Sequence, residues 1–165
     1  MPDDAAAIGS VAGAAWRTTY RDLIDAERIE RFLAGAYSEP SLRRRIAIAD
    51  RLDVVVAGAG SGGPERLVGY AEWTLREDEA ELVATYLVAD WQRRGIGRAL
   101  HARAVGAYRG RVERLTVQLL RDNLPARAFY ESLGYGDPVA GEWELFGLAL
   151  PDLRLTLSLG DAVHD

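Results

Sequence analysis

A run of glycine and arginine near the middle of the chain carries the strongest chemical signal. Gln92-Arg93-Arg94-Gly95-Ile96-Gly97-Arg98 follows residues 81–89, an apolar and β-branched segment that reads as a buried strand. It opens residues 95–108, where Ile96, Leu100, Ala104 and Tyr108 share one helical stripe. The first turn of a helix has main-chain N–H groups without intrahelical partners and a partial positive charge. Gly95 and Gly97 put no side chain in the way, so a diphosphate can approach those amides closely. Arg93, Arg94 and Arg98 add fixed positive charge. All 20 basic residues are arginines, so the loop has no P-loop lysine, and a nucleoside triphosphate with magnesium is not its natural ligand. The loop alone leaves a plainer alternative open: a turn with two glycines and solvated arginines.

A second motif follows at Asn123, Ala126, Phe129, Tyr130, Gly134 and Tyr135. Read in order, Q-x-x-G-x-G after a strand and N-x-x-A-x-x-F-Y-x-x-x-G-Y further on resemble the GNAT superfamily of N-acetyltransferases. The likeness covers residues 52–135, and Trp16 to Arg21 more loosely resembles the first helix of many bacterial members. It implies an α/β (α+β) fold, a mixed, splayed sheet flanked by helices with acyl-CoA in the split. One N-acetyltransferase domain would span 1–165, with a helical acceptor side (1–50), a cofactor core (51–135) and C-terminal strands (136–165). The cosubstrate would be acetyl-CoA, without a metal. Thr85, Tyr86 and Leu87 would offer backbone groups to the pantetheine and thioester. Gln92, Arg93, Arg94, Gly95, Ile96, Gly97 and Arg98 would surround the pyrophosphate, and Asn123 would contact the cofactor arm. Tyr130 matches the tyrosine that protonates the departing thiolate.

The chemistry is compatible with this composition. An amine attacking a thioester produces an oxyanion, and one aimed backbone donor is worth about 2.7–4 kcal/mol to it. An acceptor amine of pKa about 10 must first lose its proton, which costs about 4 kcal/mol at pH 7. Glu81 falls where the histone-acetylating branch of the family carries its glutamate base, and it shares strand parity with Thr85 and Leu87. The plain reading of Glu81 is an acidic residue at a strand start. Glu72, on the neighbouring strand, is the second candidate. The ribosomal-protein branch places its glutamate at a position that here is Gln118, which takes no proton at neutral pH, so a water relay stays open. Trp16, Tyr20 and Glu72 are the candidate acceptor-side residues, with core packing as the alternative for Trp16.

The elements that must position these groups are readable from the pattern. Helices are expected around Ile8–Thr19 positions, around Ile29 to Tyr37 capped by Asp25, and over 41–49, whose Arg43, Arg44 and Arg45 read as a solvated face. Strands are expected at 52–57, 67–73, 81–89 and 114–120, a helix at 123–133, and two closing strands, 142–150 and 153–159, turning at Pro151-Asp152. Residues 58–63 spell G-x-G-x-x-G after a strand, but strand-like residues follow where a dinucleotide site needs a helix. A dinucleotide oxidoreductase is therefore the weakest reading, and a non-catalytic acyl-CoA sensor is the main alternative to the enzyme.

Composition narrows the field further. At 165 residues, 48% apolar and 27% charged, the chain fits one domain of ordinary size. With no cysteine and only His101 and His164, thiolate metal sites, a cysteine nucleophile and a histidine metal cluster fall away. A net charge of −5 speaks against broad nucleic-acid binding and for a cationic acceptor. No apolar run is long enough to span a bilayer, so a cytoplasmic location without membrane contact is expected, with a small-molecule or protein amine as partner. Only Met1-Pro2 precedes the capping candidates Asp3 and Asp4, so the family's usual first strand is either absent or replaced by another segment at the sheet edge. An uncovered sheet edge suggests a homodimer.

Overall fold

The computed structural model describes residues 4–58 and 64–160. In chain order they form α1 (Ala5–Thr19), α2 (Ala26–Ala36), α3 (Glu39–Ile48), β1 (Arg51–Ala57), β2 (Arg66–Arg76) and β3 (Glu79–Leu87). A 3-10 turn at Ala89–Trp91 precedes α4 (Ile96–Tyr108), β4 (Arg114–Leu120), α5 (Leu124–Glu131), β5 (Gly136–Leu145) and β6 (Leu148–Ser158). The sheet is mixed and six-stranded, in the order β1-β2-β3-β4-β6-β5. β4 runs parallel to β3 and antiparallel to β6, and β5 runs antiparallel to β6. A strand ahead of α1 would concern residues 1–3, which lie outside the described residues, as do 59–63 of the glycine-rich joint and His164. The joint is followed by β2 and not by a helix, so it lacks the helix N-terminus a dinucleotide site requires.

The chain packs as two compact units, Met1–Glu72 with Ala84–Leu100, and Trp73–Val83 with His101–Asp165. In the first, the apolar stripe of α1 buries Ala5, Ile8, Val11 and Ala12 with Leu42 of α3, Tyr70 of β2 and Ala84 of β3. α2 begins at the expected cap, where Asp25 accepts a hydrogen bond from Arg28 N at 3.0 Å. Asp4 precedes α1 without making a side-chain cap. In the second unit, Leu115, Val117, Leu153 and Leu155 are buried, alternating along β4 and β6 with polar residues on the opposite face.

The closing hairpin turns elsewhere than the sequence suggests. Phe146 (φ 48°) and Gly147 (φ 81°) make the turn, the doubly left-handed pair that suits a two-residue hairpin loop. Pro151 and Asp152 lie inside β6, opposite Glu142 and Gly141. Pro-Asp reads as a turn locally, but β6 uses Pro151 O to accept from Arg121 N at 2.9 Å, and the missing proline N–H is tolerated there.

Candidate active site

In the first unit, β3 delivers Thr85, Tyr86 and Leu87 to the glycine-arginine loop. Val88 N donates to Val68 O at 2.9 Å, tying the end of β3 to β2. Gln92 Nε2 donates to Leu87 O at 2.9 Å, so this glutamine braces the loop against the strand it leaves. The chain then turns through two left-handed residues, Arg93 (φ 60°) and Gly95 (φ 81°). Gly95 O accepts from Ala99 N at 3.0 Å, so the N–H groups of Ile96, Gly97 and Arg98 form the first turn of α4, where a helix has no internal acceptors for them. The Arg94 guanidinium stacks over Trp91, 5.0 Å from its ring centre. The chain at Gly69 also passes close to β3: a Cβ there would meet Leu87's side chain and approach Tyr86 O to 2.9 Å.

Tyr86 places its side chain in an aromatic nest. Trp16 Nε1 donates to Tyr86 Oη at 2.9 Å. Trp16 also packs on Tyr20 and Phe32, each with ring centres 4.4 Å away. Tyr37 and Tyr70 lie 6.4 and 5.9 Å from Tyr86. Trp16 is 5% exposed, so packing and a polar bond are combined in one residue. Burial, then the neighbouring phenols, push the Tyr86 and Tyr70 hydroxyls well above the ordinary tyrosine value. They stay protonated at neutral pH and do not serve as bases; Tyr86 Oη is the acceptor of the Trp16 bond.

Arg45 reaches into this nest, in contrast to the solvated face expected of it. Its guanidinium grips Glu72 and lies 4.9 Å from the Tyr37 ring centre. It stays charged, because hydrogen bonding and attraction to Glu72 more than offset its burial. Glu72 is thus a buried carboxylate held by a buried-side arginine.

In the second unit the register sets Glu79 and Glu81 of β3 opposite Arg114 and Thr116 of β4, and β6 brings Arg154 opposite Gln118. Cross-strand partners share a face. These side chains line a pocket of about 240 Å³ bounded by Arg76, Glu79, Glu81, Thr116, Gln118 and Arg154. Glu79 is bridged by Arg114 and Arg154. Glu81 pairs with Arg76, whose side chain is 63% exposed against 27% for Glu81. Gln118 Nε2 donates to Asp152 of β6, which is 3% exposed. Asp152 was missed in the sequence because Pro151-Asp152 reads as a turn.

The second unit also holds Asn123 and Tyr130. Asn123 Oδ1 accepts from Ala126 N at 3.3 Å and so caps α5. Tyr130 is 8% exposed, with the rings of Phe129 and Tyr135 at 5.1 and 5.5 Å. His101 is half-buried, and its Nε2 lies 3.2 Å from Tyr135 Oη.

The profile of the acetyltransferase (GNAT) family matches residues 16–135. The chain belongs to the GNAT family of acetyltransferases. It is therefore an N-acetyltransferase by class, and the mixed α/β fold expected from the two motifs is the fold observed. A spermidine N(1)-acetyltransferase of Thermoplasma acidophilum is 28% identical over 137 residues, covering 81% of this chain and 83% of the relative. Among solved structures, the PaiA N-acetyltransferase of the same organism in complex with coenzyme A superposes with TM-score 0.76 at 21% identity, covering 95% of this chain and 94% of that one. yncA from Salmonella typhimurium with its cofactor acetyl-CoA gives TM-score 0.63 at 19% identity, covering 100% and 94%. Among the described residues no helix is long and apolar enough to cross a membrane, and no group of three or more metal-ligating side chains occurs.

Proposed function

We propose that this GNAT protein transfers an acetyl group from acetyl-CoA directly to the primary amine of a small cationic acceptor of the polyamine class. Support for the donor comes from the left-handed turn at Arg93 and Gly95, which leads into the first turn of α4, where main-chain amides have no intrahelical acceptors and arginines flank them in the sequence. Ile96, Gly97 and Arg98 would hold the pyrophosphate through main-chain N–H groups, with Gln92 keeping the loop braced on Leu87. The amide nitrogen of Asn123, whose Oδ1 is engaged as a cap, would reach the cofactor arm. Bound acetyl-CoA supplies an activated acyl group on a thioester, and the phenol of Tyr130 would return a proton to the sulfur.

The observation that carries the acceptor side is the pairing of Glu81. Both candidate bases are salt-bridged, yet the two pairs differ physically. Arg45 and Glu72 have side chains 23% and 8% exposed, so opening that pair would strand a buried charge. Arg76 is a largely exposed arm, and such a pair is worth no more than about 1 kcal/mol. Glu81 is therefore the carboxylate that an incoming ammonium displaces from its partner and that then takes the ammonium's proton. Glu72 is assigned to the fold. The acidic net charge and the spermidine-acetylating relative support a cationic acceptor.

The test is the release of free CoA from acetyl-CoA across a panel of amines headed by spermidine. Turnover on primary amines is expected. Saturable acetyl-CoA binding with no turnover on any amine would leave a sensor in place of an enzyme.

A further inference from the structure

The pocket on the polar face of β3, β4 and β6 contains one polar atom that nothing in the fold uses. Thr116 is 1% exposed, lines the pocket, and its Oγ1 has no hydrogen-bond partner. A buried hydroxyl left unpaired is costly, and native structures rarely keep one without a use. Opposite it in register stands Glu81. Two residues along β4 on the same face stands Gln118, which is exposed to the pocket.

The orientation of Gln118 is fixed chemically. A carboxylate only accepts hydrogen bonds, so the group that Gln118 turns to Asp152 is its NH₂. Its Oε1, an acceptor, is not the atom that Asp152 engages. Asp152 itself has little freedom: its Oδ1 would lie 2.5 Å from a Cβ at Gly141, so the carboxylate rests against bare main chain on β5. The buried aspartate thus engages the donor end of the amide, which leaves the acceptor end for a ligand in the pocket that Gln118 lines.

We infer that Glu81, Thr116 Oγ1 and Gln118 Oε1 form a three-acceptor cradle for the primary ammonium of the substrate, with Asp152 as the positioning residue. A primary ammonium carries three N–H donors, one for each acceptor. A secondary ammonium has two, and leaves one of the three acceptors unpaired, which is how a hydrogen-bonding site rejects an analogue. The assignment rests on the acetyltransferase reading and specifies how that enzyme chooses its acceptor.

The experiment compares steady-state kinetics on the best primary amine from the panel and on its terminally N-methylated counterpart. Thr116→Val keeps the shape and removes the acceptor. It is expected to raise the amine KM about tenfold, the scale of one buried hydrogen bond, and to narrow the preference for the primary amine by a similar factor. The acetyl-CoA KM should not move, and Tm should not fall, because an orphaned hydroxyl is replaced by a methyl group. Thr116→Ser should restore the wild-type KM. Asp152→Asn should raise the amine KM as well, by letting the Gln118 amide turn, and Gln118→Leu gives the same reading if that variant fails to fold. An unchanged amine KM in Thr116→Val, or a change confined to acetyl-CoA, overturns the cradle while leaving the activity standing. A wild-type protein inert toward every amine overturns the activity and the cradle together.

Discussion

Arg45 closes on Glu72 through both carboxylate oxygens, Nε to Oε1 at 3.2 Å and Nη2 to Oε2 at 2.6 Å. The pair ties α3 to β2 beneath the aromatic nest, and a third bond from Arg45 Nη1 to Ala36 O at 3.3 Å anchors the end of α2. Arg45→Met or Glu72→Leu alone should each cost about 3 kcal/mol, because each leaves an uncompensated charge in a mostly dry place. The double variant should recover most of that loss, since an apolar pair of similar volume replaces the ions without stranding either. Urea melts of the four proteins check this. Additive losses in the double variant would mean that the pair is not coupled.

The two candidate bases predict opposite phenotypes. Glu81→Gln should lower kcat by about 10²-fold or more, the usual scale for a general base, with little change in stability, because its partner Arg76 is solvated. Glu72→Gln should cost stability first. At a temperature where it remains folded, its kcat should stay near wild type. Melting curves and kcat measured on both variants separate these outcomes.

Tyr130 sits between Phe129 and Tyr135 with its ring packed edge-on to both. Tyr130→Phe retains that ring and removes only the hydroxyl. It should reduce kcat at least about tenfold on the general-acid scale while acetyl-CoA affinity and Tm hold. Unaltered kcat with chemistry rate-limiting would assign Tyr130 to packing.

Gly97 lies in the first turn of α4, beside Gly95 at φ 81°. Gly97→Val should abolish acetyl-CoA binding in titration calorimetry, because a branched side chain covers the amides that a diphosphate must approach. Valine is acceptable in a first helical turn, costing about 0.5 kcal/mol relative to a better helix former, so the thermal transition should persist.

What the sequence disclosed depended on whether the physics was local. The cap at Asp25, the stripe of α1 and the glycine loop before α4 are local patterns, and all stand in the structure. The turn at Phe146-Gly147 went unseen because Pro151-Asp152 offers a stronger local turn signal, and ladder pairing with β5 overrides it. That error hid Asp152, whose meaning comes from Gln118 one strand away. Arg45 shares a run with Arg43 and Arg44 that has the pattern of a solvated face, since nothing in its own segment points to Glu72. Gly69 likewise reads as an ordinary strand glycine until β3 is laid beside it and Tyr86 O comes within 2.9 Å of where a Cβ would stand.

His101 gives the fold a pH dependence with a definite sign. Its half-buried ring lies 3.2 Å from Tyr135 Oη, and burial lowers its pKa from the ordinary value of 6.5. The native state therefore binds its proton less readily than the unfolded chain does. Stability from this group is complete above about pH 6.5 and is lost as pH falls below that value. His101→Gln, which keeps a hydrogen-bonding side chain but does not titrate, should flatten the fall in Tm between about pH 7 and 5 relative to wild type. His164 is unaltered in both proteins and cancels in the comparison. Parallel Tm profiles for the two proteins would show that the ring meets the same environment folded and unfolded, and that its contact with Tyr135 contributes nothing to the acid limb.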